Sequence, residues 1–317
     1  LPRNPALAAL ATLALLPAAA HAVVYEYGVA RFLNYTQTSA AAPAGPEYWS
    51  LYAYTYVDVN GEIVSASVSY DMPPQTRTLS EATPTLHQFL SAYYTTAADF
   101  YQDYPGTTYS FAVDLGAGPE YATVSVPEDL FPPQVPQFSG DTWDRLQSYN
   151  TALAFTGSIN GFALAPGTDQ GSSNVTVVKE EGPVYTAVFS VNLDPGDTSF
   201  EIPAALLEPA TFYSIGVSYV NSATSPDAGF SGATALADYI RGTGAYFTTL
   251  APTCGSADFN CDGDIGTDQD IEAFFACLAG NCPGAPCPST ADFNADGDIG
   301  TDADIEAFFR VLAGGPC

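Results

Sequence analysis

Leu207-Glu208-Pro209-Ala210-Thr211-Phe212-Tyr213-Ser214-Ile215-Gly216-Val217 is the run that sets the fold class. Its Tyr213, Ile215, Val217 and, beyond it, Tyr219 alternate with Ser214, Gly216 and Ser218, which gives an extended chain one apolar and one polar face. Residues 23–249 repeat that grammar on either side of it: short Val, Tyr, Thr and Phe runs separated by Gly, Pro, Asn and Asp clusters, the pattern of antiparallel sandwiches.

Nearer the N-terminus, Val57-Asp58-Val59-Asn60-Gly61-Glu62-Ile63-Val64 places Asn-Gly between two strands, as a type I′ hairpin requires. Val64, Ala66, Val68 and Tyr70 then share one face. A second strand pair is expected at residues 109–113 and 121–126, entered through the turn Tyr104-Pro105-Gly106. Between them, residues 85–102 are ambiguous, because Leu86, Phe89, Leu90 and Tyr93 have helical spacing. The Pro132-Pro133 stretch reads as a connector. The expected organisation is a leader (1–22), a β-sandwich (23–127), a Pro-rich connector (128–136), a second β-sandwich (137–250) and a C-terminal module (254–317).

The entry Leu-x-Pro-x-Thr-x-Tyr-x-Ile-x-Val at residues 207–217 resembles the run that opens a late strand of fibronectin type III domains, and Tyr246-Phe247-Thr248-Thr249 resembles their last strand. The resemblance implies a fibronectin-like or immunoglobulin-like second sandwich.

All six cysteines lie from Cys254 onward. There, residues 257–275 (ADFNCDGDIGTDQDIEAFF) recur as residues 291–309 (ADFNADGDIGTDADIEAFF), identical at 17 of 19 positions and offset by 34. Each copy begins Asp-x-Asn-x-Asp-Gly-Asp-Ile, which meets the opening of an EF-hand calcium loop: oxygen side chains at positions 1, 3 and 5, glycine at 6, an aliphatic at 8. Calcium is a hard ion that takes several oxygens, and without it so many carboxylates in one tight loop repel each other.

The candidate ligands are Asp258, Asn260, Asp262 and, through its carbonyl, Asp264 in repeat one, and Asp292, Asn294, Asp296 and Asp298 in repeat two. Position 12 holds Gln269 or Ala303. The closing acid is therefore expected to be Asp270 and Asp304 at position 13, with Asp268 and Asp302 at position 11 as the alternative. Position 13 opens a helix whose apolar residues Ile271, Phe274, Phe275 and Leu278 match Ile305, Phe308, Phe309 and Leu312.

Two loop-helix repeats, each lacking the entering helix of a full EF-hand, resemble a type I dockerin, and more closely the Cys-rich dockerin-like tails of secreted planctomycete proteins. The resemblance implies calcium-dependent folding around two ions and docking to a cohesin-like protein or a cell-surface scaffold. Cys261 and Cys277 are both missing from repeat two, where Ala295 and Val311 stand, so they are expected to pair. Cys254–Cys282 and Cys287–Cys317 would then bracket the two repeats. The fold class expected overall is mainly β: two antiparallel β-sandwich domains followed by a small α-helical, calcium-binding, dockerin-like module.

Residues 1–22 read as a secretory leader, with Arg3, an apolar run and the cleavage site Ala20-His21-Ala22, so the product is expected outside the cytoplasm. Leu1 in place of Met points to a truncated reading frame or a non-standard start codon. No other run approaches the roughly 20 apolar residues of a membrane-spanning helix. The formal charge of −28 argues against nucleic acid, since beyond the leader only Arg31, Arg77, Arg145, Lys179, Arg241 and Arg310 remain to meet phosphates.

Catalytic constellations are missing from the sequence. His21 leaves with the leader, and His87 has no nucleophile motif beside it. Glu120 and the pair Glu180-Glu181 sit in turn-like contexts, and adjacent acids on a strand point to opposite faces. Tyr48, Trp49, Tyr52, Tyr54 and Tyr56 form a row that would stack on sugar rings if exposed. The sequence thus reads as a secreted, non-catalytic surface or extracellular-assembly protein. The alternative is a carbohydrate-binding or polysaccharide-degrading component that takes a glycan.

Overall fold

The computed structural model describes residues 23–58, 63–71, 74–127, 130–182, 184–225, 229–251, 254–284, 287–288, 290–315 and 317. The leader and the Asn60-Gly61 turn lie outside the described residues. In chain order the first half runs β1 (Val24–Thr36), β2 (Tyr48–Val57), β3 (Ser65–Asp71), β4 (Pro74–Thr78), β5 (Ser80–Thr83) and β6 (Leu86–Leu90). Then come α1 (Ala97–Asp103), β7 (Thr107–Asp114) and β8 (Pro119–Val126). The second half has α2 (Thr142–Leu146), β9 (Phe155–Ser158), β10 (Gln170–Glu181), β11 (Val184–Leu193), β12 (Ser199–Ile202), β13 (Phe212–Thr224) and β14 (Thr234–Thr248). The C-terminal module contributes α3 (Asp268–Leu278) and α4 (Asp302–Leu312).

The protein is mainly β. One eight-stranded sheet, ordered β11-β10-β13-β14-β1-β2-β6-β5, takes strands from both halves of the chain. A four-stranded sheet, β4-β3-β7-β8, covers one end of it, and the pair β12-β9 covers the other. At the second end, β11-β10-β13-β14 facing β9 and β12 has the layout of an immunoglobulin-like sandwich. The opening run behaves as its alternation requires: Tyr213, Ile215, Val217 and Tyr219 are all buried in the second core.

The seam between the halves is the parallel pair β1–β14, from Glu26 opposite Thr234 to Thr36 opposite Gly244. This is a departure from a purely antiparallel expectation. The inward face of β14 crosses two cores, with Ala235, Ala237 and Tyr239 in the first and Ala245 and Phe247 in the second. Buried Thr243 stands between them and donates its hydroxyl to the Pro136 carbonyl at 2.7 Å. The Pro-rich connector is therefore packed onto the sheet: Phe131 meets Tyr239 edge-on at 5.5 Å, and Asn221 and Asn160 donate to the Leu130 and Val135 carbonyls. Residues 230–239, late in the sequence, belong to the first core.

Two local expectations change. The strands flanking Asn60-Gly61 do not form a hairpin: β2 pairs with β1 and β6, whereas β3 pairs with β4 and β7 in the opposite sheet. The residues with helical spacing, Leu86 to Leu90, form β6, and the helix comes later as α1, capped by the Thr96 hydroxyl. The run has no two-residue alternation of its own, since Phe89 packs on the first core while Leu90 on the other face is 54% exposed, and pairing with the edge of β2 makes it a strand. The strand pair at residues 107–126 forms as expected, as β7 and β8.

Candidate functional site in the C-terminal repeats

Glycine and one non-glycine residue bend each acidic loop. Gly263 and Gly297 at position 6 have φ of 93° and 92°, and Cys261 and Ala295 at position 4 also take positive φ. These turns fold the acids inward over their own backbone. In repeat two, Asp292 accepts from the N–H groups of Asp296 (3.0 Å) and Gly297 (3.1 Å). Asn294 accepts from Asp296 N–H at 3.0 Å and donates its amide to the Asp296 carboxylate at 2.7 Å. Asp258, Asn260, Asp262 and Gly263 repeat the same set of bonds in loop one.

The position-13 acids are fully buried, and position 11 is exposed at Asp268 and Asp302. Each buried acid latches loop to helix. One oxygen of Asp304 accepts from Phe293 and Asn294 N–H, the other from Thr301 N–H and its hydroxyl. Asp270 does the same with Phe259, Asn260 and Thr267. Burial opposes ionisation of Asp270. Hydrogen bonds from Thr267, Asn260 and Phe259 prevail over it and hold the carboxyl below the usual carboxylate range.

Among the described residues, Asp292, Asp296 and Asp304 bring carboxylate oxygens within 4.8 Å of one another, which makes them the group able to hold a metal ion. Three converging carboxylates with no cationic partner in the loop match the donor chemistry of a hard cation. Arg310, the nearest basic residue in sequence, pairs with Glu306 at 2.6 Å. Asn294, with its side-chain carbonyl, and Asp298, with its backbone carbonyl, lie in the same loop. The position-8 residues Ile265 and Ile299 stand in solvent.

The helices carry these loops on a shared core of Phe259, Phe274, Phe293 and Phe308, while Phe275 and Phe309 remain half exposed. Three disulfides close the module, consistent with an oxidising compartment, but not in the expected pairing. The bonds are Cys254–Cys317, Cys261–Cys287 and Cys277–Cys282. Cys261–Cys277, Cys254–Cys282 and Cys287–Cys317 do not form. Cys277 is buried on the core side of α3 and reaches the turn just after that helix, whereas Cys261 sits exposed on the loop and reaches the inter-repeat linker.

No protein-family model matches the chain, and no curated protein matches it. Among solved structures it is similar to the FN1–FN3 domains of chicken CNTN1, at 12% identity over 68% of each chain with a TM-score of 0.23. It is also similar to titin domains A168–A170, at 13% identity over 74% of this chain and 68% of that one, TM-score 0.22. The BSP domain of a biofilm-associated protein gives 14% identity over 72% of this chain and 30% of that one, TM-score 0.20. The sandwich assignment rests on the sheet order and the two cores.

Elsewhere, the residues singled out by sequence are dispersed. His87 lies on β6 opposite Thr55, and its partial burial lowers its pKa. Glu181 and Glu208 both pair with Lys179 at 2.7 Å. Tyr52, Tyr54 and Tyr56 lie on the sheet face away from the core, but their rings lean on one another, 5.4 Å and 5.6 Å apart, and Tyr25 stacks on Tyr56. Tyr54 is itself buried and meets Tyr56 edge-on, so the row is packed within itself. Of the six Lys and Arg residues beyond the leader, Arg31 is fully buried and donates to the Tyr104 and Pro105 carbonyls, and Arg145, Lys179 and Arg310 pair with acids. Among the described residues no helix is long and apolar enough to cross a membrane.

Proposed function

We propose that this protein is a secreted, non-catalytic component of a surface or extracellular assembly, whose dockerin-like C-terminal module binds two calcium ions and docks a partner. The observation that carries the reading is the convergence of Asp292, Asp296 and Asp304 in a loop whose hydrogen bonds are repeated residue for residue in its twin. Bound calcium would supply the positive charge that this carboxylate cluster lacks, and so would tie each loop to its helix. Asp258, Asn260, Asp262 and Asp270 would hold one ion, with the Asp264 carbonyl. Asp292, Asn294, Asp296 and Asp304 would hold the other, with the Asp298 carbonyl. The β-sandwiches, the second of them fibronectin type III-like, serve as the body that the module anchors, and the partner class is a cohesin-like protein or cell-surface scaffold.

Calorimetric titration of the chelator-treated chain is expected to give two calcium ions per molecule. Capture of a partner from the source cell surface is expected with calcium and lost with chelator. A chain that takes up no calcium would reject the reading, and calcium binding without a calcium-dependent partner would reject its docking half.

A further inference from the structure

The two repeats are an internal control, because near-identical sequences differ in exposure only through what covers them. Ala307 on α4 is 5% exposed, whereas its twin Ala273 on α3 is only partly buried. Asp296 in loop two is partly buried, whereas its twin Asp262 in loop one is exposed. A side chain begun at Gly297 would meet the Cδ2 of Leu153 at 4.0 Å, and one begun at Gly263 would meet no atom within 4 Å.

The cover comes from the second β-sandwich. A cleft of about 570 Å³ has Asn294, Asp296 and Ala307 on one wall and Thr151, Leu207 and Leu250 on the other. Asn294 and Asp296 are thus at once candidate calcium ligands and part of the wall facing the sandwich.

From this asymmetry we propose that repeat two is the module's seat on the second sandwich, and that calcium in loop two and seating stabilise each other while loop one binds independently. The inference rests on the calcium reading above. Without an ion, the clustered Asp292, Asp296 and Asp304 carboxylates repel and loosen both the wall that faces Thr151, Leu207 and Leu250 and the neighbouring Gly297 turn beside Leu153. With one, the wall is set. Coupling of this kind is reciprocal, so whatever unseats the module must weaken calcium at loop two by the same factor. Two loops of nearly the same sequence therefore have different affinities, loop two the tighter.

The test is calcium titration of the full chain carrying Leu153→Asp, a change at a 56% exposed position that leaves the sandwich core untouched. One of the two sites is expected to weaken by about 5-fold or more, the lower end of typical coupling, with the other unchanged. Asp258→Ala and Asp292→Ala backgrounds assign the site: the loss should follow loop two, present with Asp258→Ala and absent with Asp292→Ala. Hydrogen exchange at Leu250 and Ala251 gives a second readout, with protection by calcium expected in the unmodified chain and reduced by Leu153→Asp. Equal weakening of both sites, or of neither, would overturn the coupling while leaving calcium binding intact. Absence of any calcium uptake by the unmodified chain would instead remove the calcium reading itself.

Discussion

The ring of Phe274 lies flat on that of Phe308, with centroids 4.2 Å apart and planes 11° from parallel. Around this pair the other contacts come in twins. Phe259 meets Phe274 edge-on at 5.3 Å as Phe293 meets Phe308 at 5.2 Å, and the crossed pairs Phe259–Phe308 and Phe293–Phe274 are also edge-on. The repeat in the sequence has become a pseudo-two-fold core. Phe274→Ala and Phe308→Ala should therefore cost the module similar amounts, about 3–5 kcal/mol each, with the double variant costing less than their sum because they share one contact. Hydrogen exchange of the α3 and α4 amides measures this, and a strongly unequal pair of losses would contradict the symmetric core.

Non-reducing peptide mapping should recover Cys254–Cys317, Cys261–Cys287 and Cys277–Cys282. Their sequence separations of 63, 26 and 5 residues set their order of importance. By loop-closure entropy, removing the first pair should destabilise the module by about 4 kcal/mol and the last by about 2. Paired Cys→Ala variants compared by urea unfolding check that order, and a reversed ranking would count against chain entropy as the dominant effect.

What the sequence made legible was local. Alternation at Tyr213, Ile215 and Val217, and the turn chemistry of the acidic loops, depend on neighbours a few residues away, and both appear in the structure as read. The parallel seam of β1 with β14 joins residues about 200 positions apart in the chain, and no local pattern encodes it. The disulfides failed for a related reason. Reading Cys261 and Cys277 as partners assumed that residues lost together touch, yet one faces the linker and the other the core. Residues 85–102 are ambiguous in the sequence because Leu86, Phe89, Leu90 and Tyr93 are spaced as in a helix, and pairing with the distant edge of β2 is what makes Leu86–Leu90 a strand.

Two glycines separate space from backbone freedom. Gly157 on β9 lies opposite Phe200 of β12, and the buried Phe200 ring occupies the volume where a methyl group would go. Gly216 on β13 has its nearest neighbour at 4.0 Å, and its φ is not positive. Gly157→Ala should cost about 1–3 kcal/mol through displacement of the Phe200 ring. Gly216→Ala should be neutral or stabilising by up to about 1 kcal/mol through lost unfolded-chain entropy. Thermal midpoints of the two variants decide the matter, and equal effects would show that the Phe200 ring is free to move aside.

On the outer face of the seam, the Asp238 carboxylate accepts from the hydroxyls of Ser222 (2.5 Å) and Tyr54 (3.2 Å). Burial raises its pKa above 3.8 against those two hydrogen bonds, and burial together with the Asp238 charge raises that of Glu26 on the neighbouring strand. A carboxyl whose folded pKa is raised binds protons more tightly in the native than in the unfolded chain. Its ionisation therefore withdraws stability as pH climbs from the unfolded value through the folded one. In Asp238→Asn the amide oxygen still accepts from Ser222, its N–H can donate to the Tyr54 oxygen, and no charge develops. The variant should unfold at higher urea than the parent at neutral pH, with the gap closing as pH falls toward the unfolded carboxylate pKa of about 4. Paired urea midpoints across that range test the sign. A gap that stays constant, or opens toward acid, would mean that Asp238 contributes through its hydrogen bonds and not through its charge.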